Sequence, residues 1–408
     1  MNYDIAIIGG GPAGLMAAVR SGELGFSVIL LEKNDKLGIK LLATGGGRSN
    51  ITNLNDNRNI AQSFGNNGKW LLSGLSRFGP EDVLNFFNNN NLPTKVEDNS
   101  RVFPESNSSQ KVLDVFLFLL KKYSIEVKTK AEVKKIIKRE NKIEKIILSN
   151  REEIVAKNFM ICTGGKSYPS TGSTGDGYAW LKKMGHDIIK LRPALVPIKI
   201  KNPSIRELEG LSLLDVNTSY WRKNKKICSE RGDLIFTSNG LSGPAILNLS
   251  GKLDNLEDQS GVKISIDLFP DLDFSELDKK IQDKFSSENR FFKNALVGLV
   301  PPKLIPVLIS WLKIDSEKKA NLISRTERHD LVKLLKKLEF NGAGLEGFDR
   351  AMITAGGVNL KEVDPKNMKS KIINNLYIAG EILDLNGPTG GYNLQACWTT
   401  GYIAGQLL

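Results

Sequence analysis

The sequence predicts an α/β chain in which a parallel-sheet domain, residues 1–190 with 346–408, is interrupted by an inserted β-rich, barrel-like domain at 191–345. Three observations predict it. The apolar run Asp4–Ile8 leads into GGGPAG at 9–14 and then into a helical stretch, the order of a β-α-β nucleotide-binding unit. Apolar runs at 159–165 and 376–379 each lead into glycine. From Pro193 and Pro197 onward, alternating runs replace that pattern and no second GxGxxG occurs.

The first block has the strongest local logic. Gly9 permits a tight strand-to-helix turn, Gly11 leaves room for a pyrophosphate, and Gly14 lets the helix from Leu15 to Leu24 lie close to the strand. Pro12 and Ala13 complete the turn, whose free N–H groups and positive dipole end suit phosphate. A second strand at 26–31 ends at Glu32, placed to accept from ribose hydroxyls, with Lys33 beside it. This is a Rossmann-like dinucleotide fingerprint in its required context.

The following elements fit around it. Runs at 125–127, 136–137, 143–148 and 154–155 predict a β-meander, with Val133 on its first strand. The strand at 159–165 ends in Thr163-Gly164-Gly165, and a late strand runs into Gly380 and Glu381. In the insert, runs at 196–200, 215–221, 234–237 and 262–268 predict barrel strands. The pattern at 275–338 is helical, with Pro301, Pro302 and Pro306 breaking it. The parallel sheet is expected to resume with 351–358 and 376–379.

Composition excludes several function classes. With 40% apolar and 25% charged residues the chain is globular. The 38 glycines gather at 1–60, 160–180 and 375–408, which hold ten, five and six. The three dispersed cysteines have neither metal spacing nor a disulfide framework, and the two histidines sit in no catalytic motif. Cys162 and Cys397 read as structural, His186 as a residue following a helix and His329 as solvated. No metal is expected. No basic leader or 20-residue apolar span is visible, so no membrane is expected, and a reducing cytoplasm is the natural compartment. The net charge of +12 is interleaved with acids and reads as solubility or compositional bias.

Five further stretches carry a resemblance: GIKLLATGGGRSNITN at 38–53, TGGKSYP at 163–169, GSTGDG at 172–177, TAGGV at 354–358 and GPTGGYNLQ at 387–395. With the fingerprint they resemble FAD enzymes of the glutathione-reductase-like superfamily. More closely, the chain is similar to the BaiN-like flavoproteins, also called the aminoacetone-oxidase family, over nearly its full length. It departs from that family's pattern at Ser49, often Cys there, and at Ser238, often His.

The resemblance implies FAD as cofactor. Gly9, Gly11 and Gly14 would take the pyrophosphate and Glu32 the ribose. Thr163, Gly164 and Gly165 would lie along the adenosine side, with Val133 near adenine. Asp384, near Gly380 and Glu381, would bind the ribityl chain. Gly390, Gly391, Tyr392, Asn393 and Leu394 would open the last helix against the flavin's N1/O2 edge. Lys40, Gly45, Gly46, Gly47, Arg48, Asn50, Thr52 and Asn53 would approach the flavin from the other loop. Tyr168, Tyr392 and Arg48 are the candidate catalytic side chains. The implied function is an FAD-dependent oxidoreductase acting on a small organic substrate, with NAD(P)H as transient donor and the insert covering the flavin. An RNA-modifying flavoprotein acting on tRNA and a non-catalytic flavin-binding module are the alternatives, nucleic acid being the lesser expectation as partner.

Overall fold

A computed structural model describes residues 3–253, 261–287 and 289–408. The chain divides into two compact units, Met1–Ala194 with Phe348–Leu408, and Leu195–Gly347.

Five parallel strands centre the first unit, in the spatial order Leu376–Ile378, Ala156–Ile161, Tyr3–Ile8, Val28–Leu31, Glu126–Lys128. Side chains alternate between its faces. Ile5, Ile7, Val28, Leu30 and Met160 join one core with Leu15, Phe116 and Trp398. Ala6, Ile8, Ile29, Leu31, Phe159 and Ile161 join a second with Ile143, Ile146 and Leu181. Cover on both faces is why the first strand reads as continuously apolar.

The first helix, Pro12–Glu23, begins with proline at a position whose N–H has no intrahelical partner. It lies against the last helix, Tyr392–Ala404, at very short range. A Cβ on Gly401 would come within 2.4 Å of the Ala13 carbonyl oxygen. Trp398 of the last helix stacks on Phe116 at 5.3 Å and donates to the Ile51 carbonyl at 2.9 Å.

Two expectations about this unit need correction. The run at 125–127 is not part of the meander. As Glu126–Lys128 it is the outer strand of the parallel sheet, paired with Val28–Leu31, and the meander is Val133–Arg139, Lys142–Leu148 and Glu153–Ile154. A three-residue run carries no signal of its partner; the open edge beside Val28–Leu31 decides. The segment at 351–358 does not rejoin the parallel sheet either. Ile353–Val358 pairs antiparallel with Ile188–Ala194 in a separate ribbon. Its complete burial mimics a central strand, yet its ladder partner is the antiparallel strand, with Gly356 and Gly357 at φ 81° and 147°. A small sheet of Thr52–Asn53, Arg101–Pro104 and Thr94–Glu97 was not expected.

The second unit contains a closed six-stranded barrel of Ile198–Ile200, Gly240–Ser242, Lys225–Thr237, Ser212–Arg222, Val262–Asp267 and Leu338–Leu345. Leu234, Phe236, Leu241, Ile264, Ile266 and Phe340 are buried in its core. All four expected runs overlap these strands, with 196–197 and 268 falling outside them. Gly240–Ser242 and Leu338–Leu345 escaped the sequence reading: one is only three residues long, and the other carries Asn341, Gly342 and Gly344, which are poor strand formers. The helical part consists of Phe274–Ser287, Phe292–Ala295, Ile305–Leu312 and Arg325–Lys336. Pro301 and Pro302 separate two of these helices. Pro306 corrects the expectation that it breaks one, because it occupies the first turn, where it is tolerated. No described helix is long and apolar enough to cross a membrane.

Candidate functional site

A cleft opens at the carboxyl ends of the parallel strands, beside Ile8, Leu31 and Cys162, where ligands bind in open α/β sheets. It contains about 1360 Å³ free of protein atoms, part of it open to solvent, and lies wholly within the first unit. Gly9, Gly11, Pro12, Ala13, Glu32, Lys33, Lys40, Val133, Thr163, Gly164, Gly380, Glu381, Asn393 and Leu394 line it.

Each wall follows from local geometry. A Cβ on Gly14 would lie 1.9 Å from the Gly9 carbonyl oxygen, so the turn closes only on glycine. Glu32 is buried and holds the turn, accepting from the Gly10 N–H at 2.9 Å with one oxygen and from the Asn34 backbone and side-chain amides at 2.9 Å with the other. Lys33 donates to Asp176 at 2.7 Å and to Thr174 at 2.5 Å. Burial raises the Asp176 carboxyl, but these bonds, with that from Thr174, outweigh it and hold it below its ordinary value.

A second polar cluster holds Lys40. Its ammonium donates to Glu381 at 2.6 Å and to Ser167 at 2.7 Å. The other Glu381 oxygen accepts from Ser167 Oγ at 3.0 Å and the Thr354 N–H at 2.9 Å. Thr354 Oγ1 accepts the N–H groups of Lys166 and Ser167. Gly165 stands behind this cluster, with no room for a Cβ against Thr354 and Glu381.

The turn before the last helix is clamped from outside the cleft. Gly391 has φ 100°, and a Cβ there would lie 2.4 Å from the Thr52 carbonyl. Asn53 donates to the Gly390 carbonyl at 3.1 Å, Thr52 Oγ1 bonds Gln395, and Asn50 accepts the Gly391 N–H at 3.1 Å when its amide donates to Val102 and Thr52. Asn393 bonds both backbone groups of Gly387. These contacts hold the helix start with its first residues on the cleft.

Other candidates sit elsewhere. Gly45, Gly46 and Gly47 form a tight turn at φ 57°, 65° and 89° and do not line the cleft. Arg48 is engaged by Glu97 at 2.5 Å and Asn107 at 2.8 Å, with its guanidinium 4.2 Å above the Phe103 ring. Tyr168 and Tyr392 are not among the lining residues, and the Tyr392 hydroxyl accepts from Asn55 at 3.1 Å. Asp384 is also absent from the lining. Its carboxyl is raised by burial, with Asn67 donating to it at 3.0 Å.

Thiols and imidazoles complete the inventory. Cys162 and Cys397 line the cleft, and burial pushes both thiols up, Cys397 to about 12. His186 is buried against Ser370 at 2.9 Å, and His329 is half-buried, 3.6 Å from Asp278. Ser49 is fully buried, with its hydroxyl 3.3 Å from Thr44 Oγ1.

Sequence reasoning missed Asn34, Thr44, Asp176 and Trp180 on the lining and Ser167 and Thr354 behind it. All but Asn34 and Trp180 lie in the five stretches quoted above. Their short polar side chains beside glycine were the available signal.

One feature shows room for a dinucleotide cofactor: Gly11 faces the cleft, and a Cβ there would meet nothing within 4 Å, so an extended ligand can lie directly against the backbone of the turn. Thr163 Oγ1 is buried without a hydrogen-bond partner, packed against Gly177 and not exposed to the cleft.

A family model described as HI0933-like protein Rossmann domain matches residues 3–407. The 3-dehydro-bile acid delta(4,6)-reductase of Clostridium scindens is 29% identical over 406 residues, 98% of each chain. The ribosomal RNA dihydrouridine synthase of Haemophilus influenzae is 31% identical over 400 residues, 97% of this chain and 96% of the relative. The solved 3-ketosteroid-delta4-(5alpha)-dehydrogenase of Rhodococcus jostii RHA1 shares the fold, with a TM-score of 0.55 at 12% identity over 99% of this chain and 96% of that one.

Proposed function

This chain belongs to the HI0933-like Rossmann family, a family of FAD-dependent oxidoreductases, and on that premise we propose that it saturates a carbon–carbon double bond conjugated with a carbonyl group. One observation carries the reading. Two relatives matched over nearly their full lengths have different substrates in their names, yet both names describe hydrogen addition across such a double bond.

In this reading the fingerprint turn (Gly9, Gly11, Pro12, Ala13, Gly14) holds the FAD pyrophosphate. Glu32 and Lys33 hold the adenosine ribose, and Val133, Thr163 and Gly164 lie on the adenosine side. Gly380 and Glu381 serve the ribityl end, and Asp384, which does not line the cleft, is left out of the set. FAD, when bound, supplies the hydride, and NAD(P)H is the proposed donor that recharges it. The chain's own part is electrostatic. Lys40 keeps a cation in a cleft wall, tied to Glu381 and Ser167 so that it cannot swing away. The clamped start of the last helix presents unpaired N–H groups and the positive end of its dipole. The helix start favours negative charge on a ligand lying against it, while Lys40, paired with Glu381 on the same wall, forms a neutral couple that can still donate a hydrogen bond.

The test is anaerobic. FAD-loaded protein is mixed with NADH or NADPH, and the reduced flavin is then offered a cyclic enone or the matching saturated ketone. Bleaching by a nicotinamide and reoxidation by the enone alone are expected. Equal reoxidation by the saturated ketone, or no bleaching, overturns the proposal. A second reading puts the double bond in a uracil of ribosomal RNA, as the name of the Haemophilus relative describes.

A further inference from the structure

The meander carries charge that its fold does not use. Residues 130–145 hold seven Lys or Arg against three Glu, a surplus of four out of +12 for the whole chain. Lys134, Lys135, Lys138, Arg139 and Lys142 are all exposed. The first two strands of the meander form a hairpin whose tip is Glu140-Asn141, and Arg139 faces Lys142 directly across it. Like charges in that position destabilise a strand pair. Among the described residues, the side chains of Lys134, Lys135, Arg139 and Lys142 have no ion-pair partner. Nearby lysines differ: Lys128 is paired with Glu152, and Lys145 with Glu153. The hairpin therefore keeps an uncompensated group of cations where local acids neutralise the neighbouring ones.

We infer that this hairpin is a docking surface for the phosphate backbone of RNA. From Lys134 to Lys138 the strand covers about 13 Å at roughly 3.3 Å per residue, a span of several phosphates at about 3.4 Å each along one strand. The tip sequence, Lys138-Arg139-Glu140-Asn141-Lys142, contains no aromatic or large aliphatic residue that would sink into a lipid surface, and this favours a nucleic acid over an anionic membrane. Val133 and Ala131, at the base of the same hairpin, line the cleft, so a polyanion on the strands would be tethered at its rim. The inference deepens the RNA form of the reaction proposed above and rests on it for its purpose.

The test measures binding without turnover, so its failure and that of the reduction chemistry are distinguishable. FAD-loaded wild type and the quadruple variant K134Q/K135Q/R139Q/K142Q are titrated against a labelled single-stranded RNA of about 20 nucleotides, longer than the hairpin. A control carries K69Q, K182Q, K279Q and K361Q, the same charge change at exposed sites elsewhere. Wild type and control should bind alike. The hairpin variant should lose at least about tenfold in affinity, and its slope of log K against log salt should shrink by about 3, roughly 0.7 for each lost phosphate contact. Its thermal midpoint should hold or rise, since opposed like charges are removed, and flavin absorbance should confirm that it is folded. Three results would overturn the inference: no RNA binding by wild type at low salt, equal losses in control and hairpin variant, or hairpin-dependent binding to phosphatidylglycerol vesicles without binding to RNA.

Discussion

Lys33 and Asp176 bind each other at 2.7 Å with both side chains partly in solvent, which limits the pair to less than about 1 kcal/mol. The sign of its pH dependence is fixed all the same. The folded state holds the Asp176 carboxyl below its ordinary 3.8, so the stabilisation is present above that value and disappears as the pH falls through the lowered one. In FAD-free protein, Lys33→Met should lower the urea midpoint near neutrality and leave it unchanged in acid; an equal loss at both would mean the pair is not electrostatic. The cleft thiols give a second residue-level expectation. Because burial keeps Cys397 near 12 and raises Cys162 as well, neither should be alkylated by iodoacetamide at about pH 8 in the native protein. Cys228, pushed to about 11, should lag behind a free thiol. Mass spectrometry of the labelled peptides reads all three.

The last helix and the turn before it form the element on which the cleft most depends. Gly391→Ala forces a Cβ into the Thr52 carbonyl and a side chain into the left-handed region, at a cost of about 1–3 kcal/mol. FAD affinity should fall at least about tenfold in a fluorescence titration, and unchanged binding would show that the turn does not present the helix to the cofactor. Trp398→Ala empties a fully buried site stacked on Phe116 and should cost about 3–5 kcal/mol by denaturant unfolding. Legibility differed sharply between such elements. GGGPAG could be read because strand, turn and helix are contiguous and each glycine has a separate steric duty. Asn50, Thr52 and Asn53 lie in a stretch that pointed toward the flavin, yet they bond the Gly390–Gly391 turn and the strand at 101–104. Arg48 likewise ends on Glu97, a residue about fifty positions away with no distinguishing local pattern. Contacts of that separation leave no periodicity, which is why the small sheet and its clamp were invisible while the fingerprint was not.

At the scale of the whole molecule, each unit has its own core, and the cleft belongs to one of them. Added FAD should therefore stabilise the first unit by about 2.7 kcal/mol at a hundredfold excess over its dissociation constant. In hydrogen exchange, added protection should fall within Met1–Ala194 and Phe348–Leu408 and not in the barrel strands; uniform protection would contradict that assignment. The barrel was legible as a class because its strands alternate, and its closure was not, since the closing strand Leu338–Leu345 is built on glycines. The first unit's discontinuity also has a temporal side. Its cleft takes residues 9–13 of the fingerprint and, about 380 residues further along the chain, Asn393, Leu394, Ala396 and Cys397. A ribosome adding about 5–20 residues per second needs roughly 20–80 s to reach them. Through that interval the nascent chain has only one wall of the cleft, so under the proposed reading the flavin can be captured only after Cys397 has been made, and products cut short before it would stay colourless.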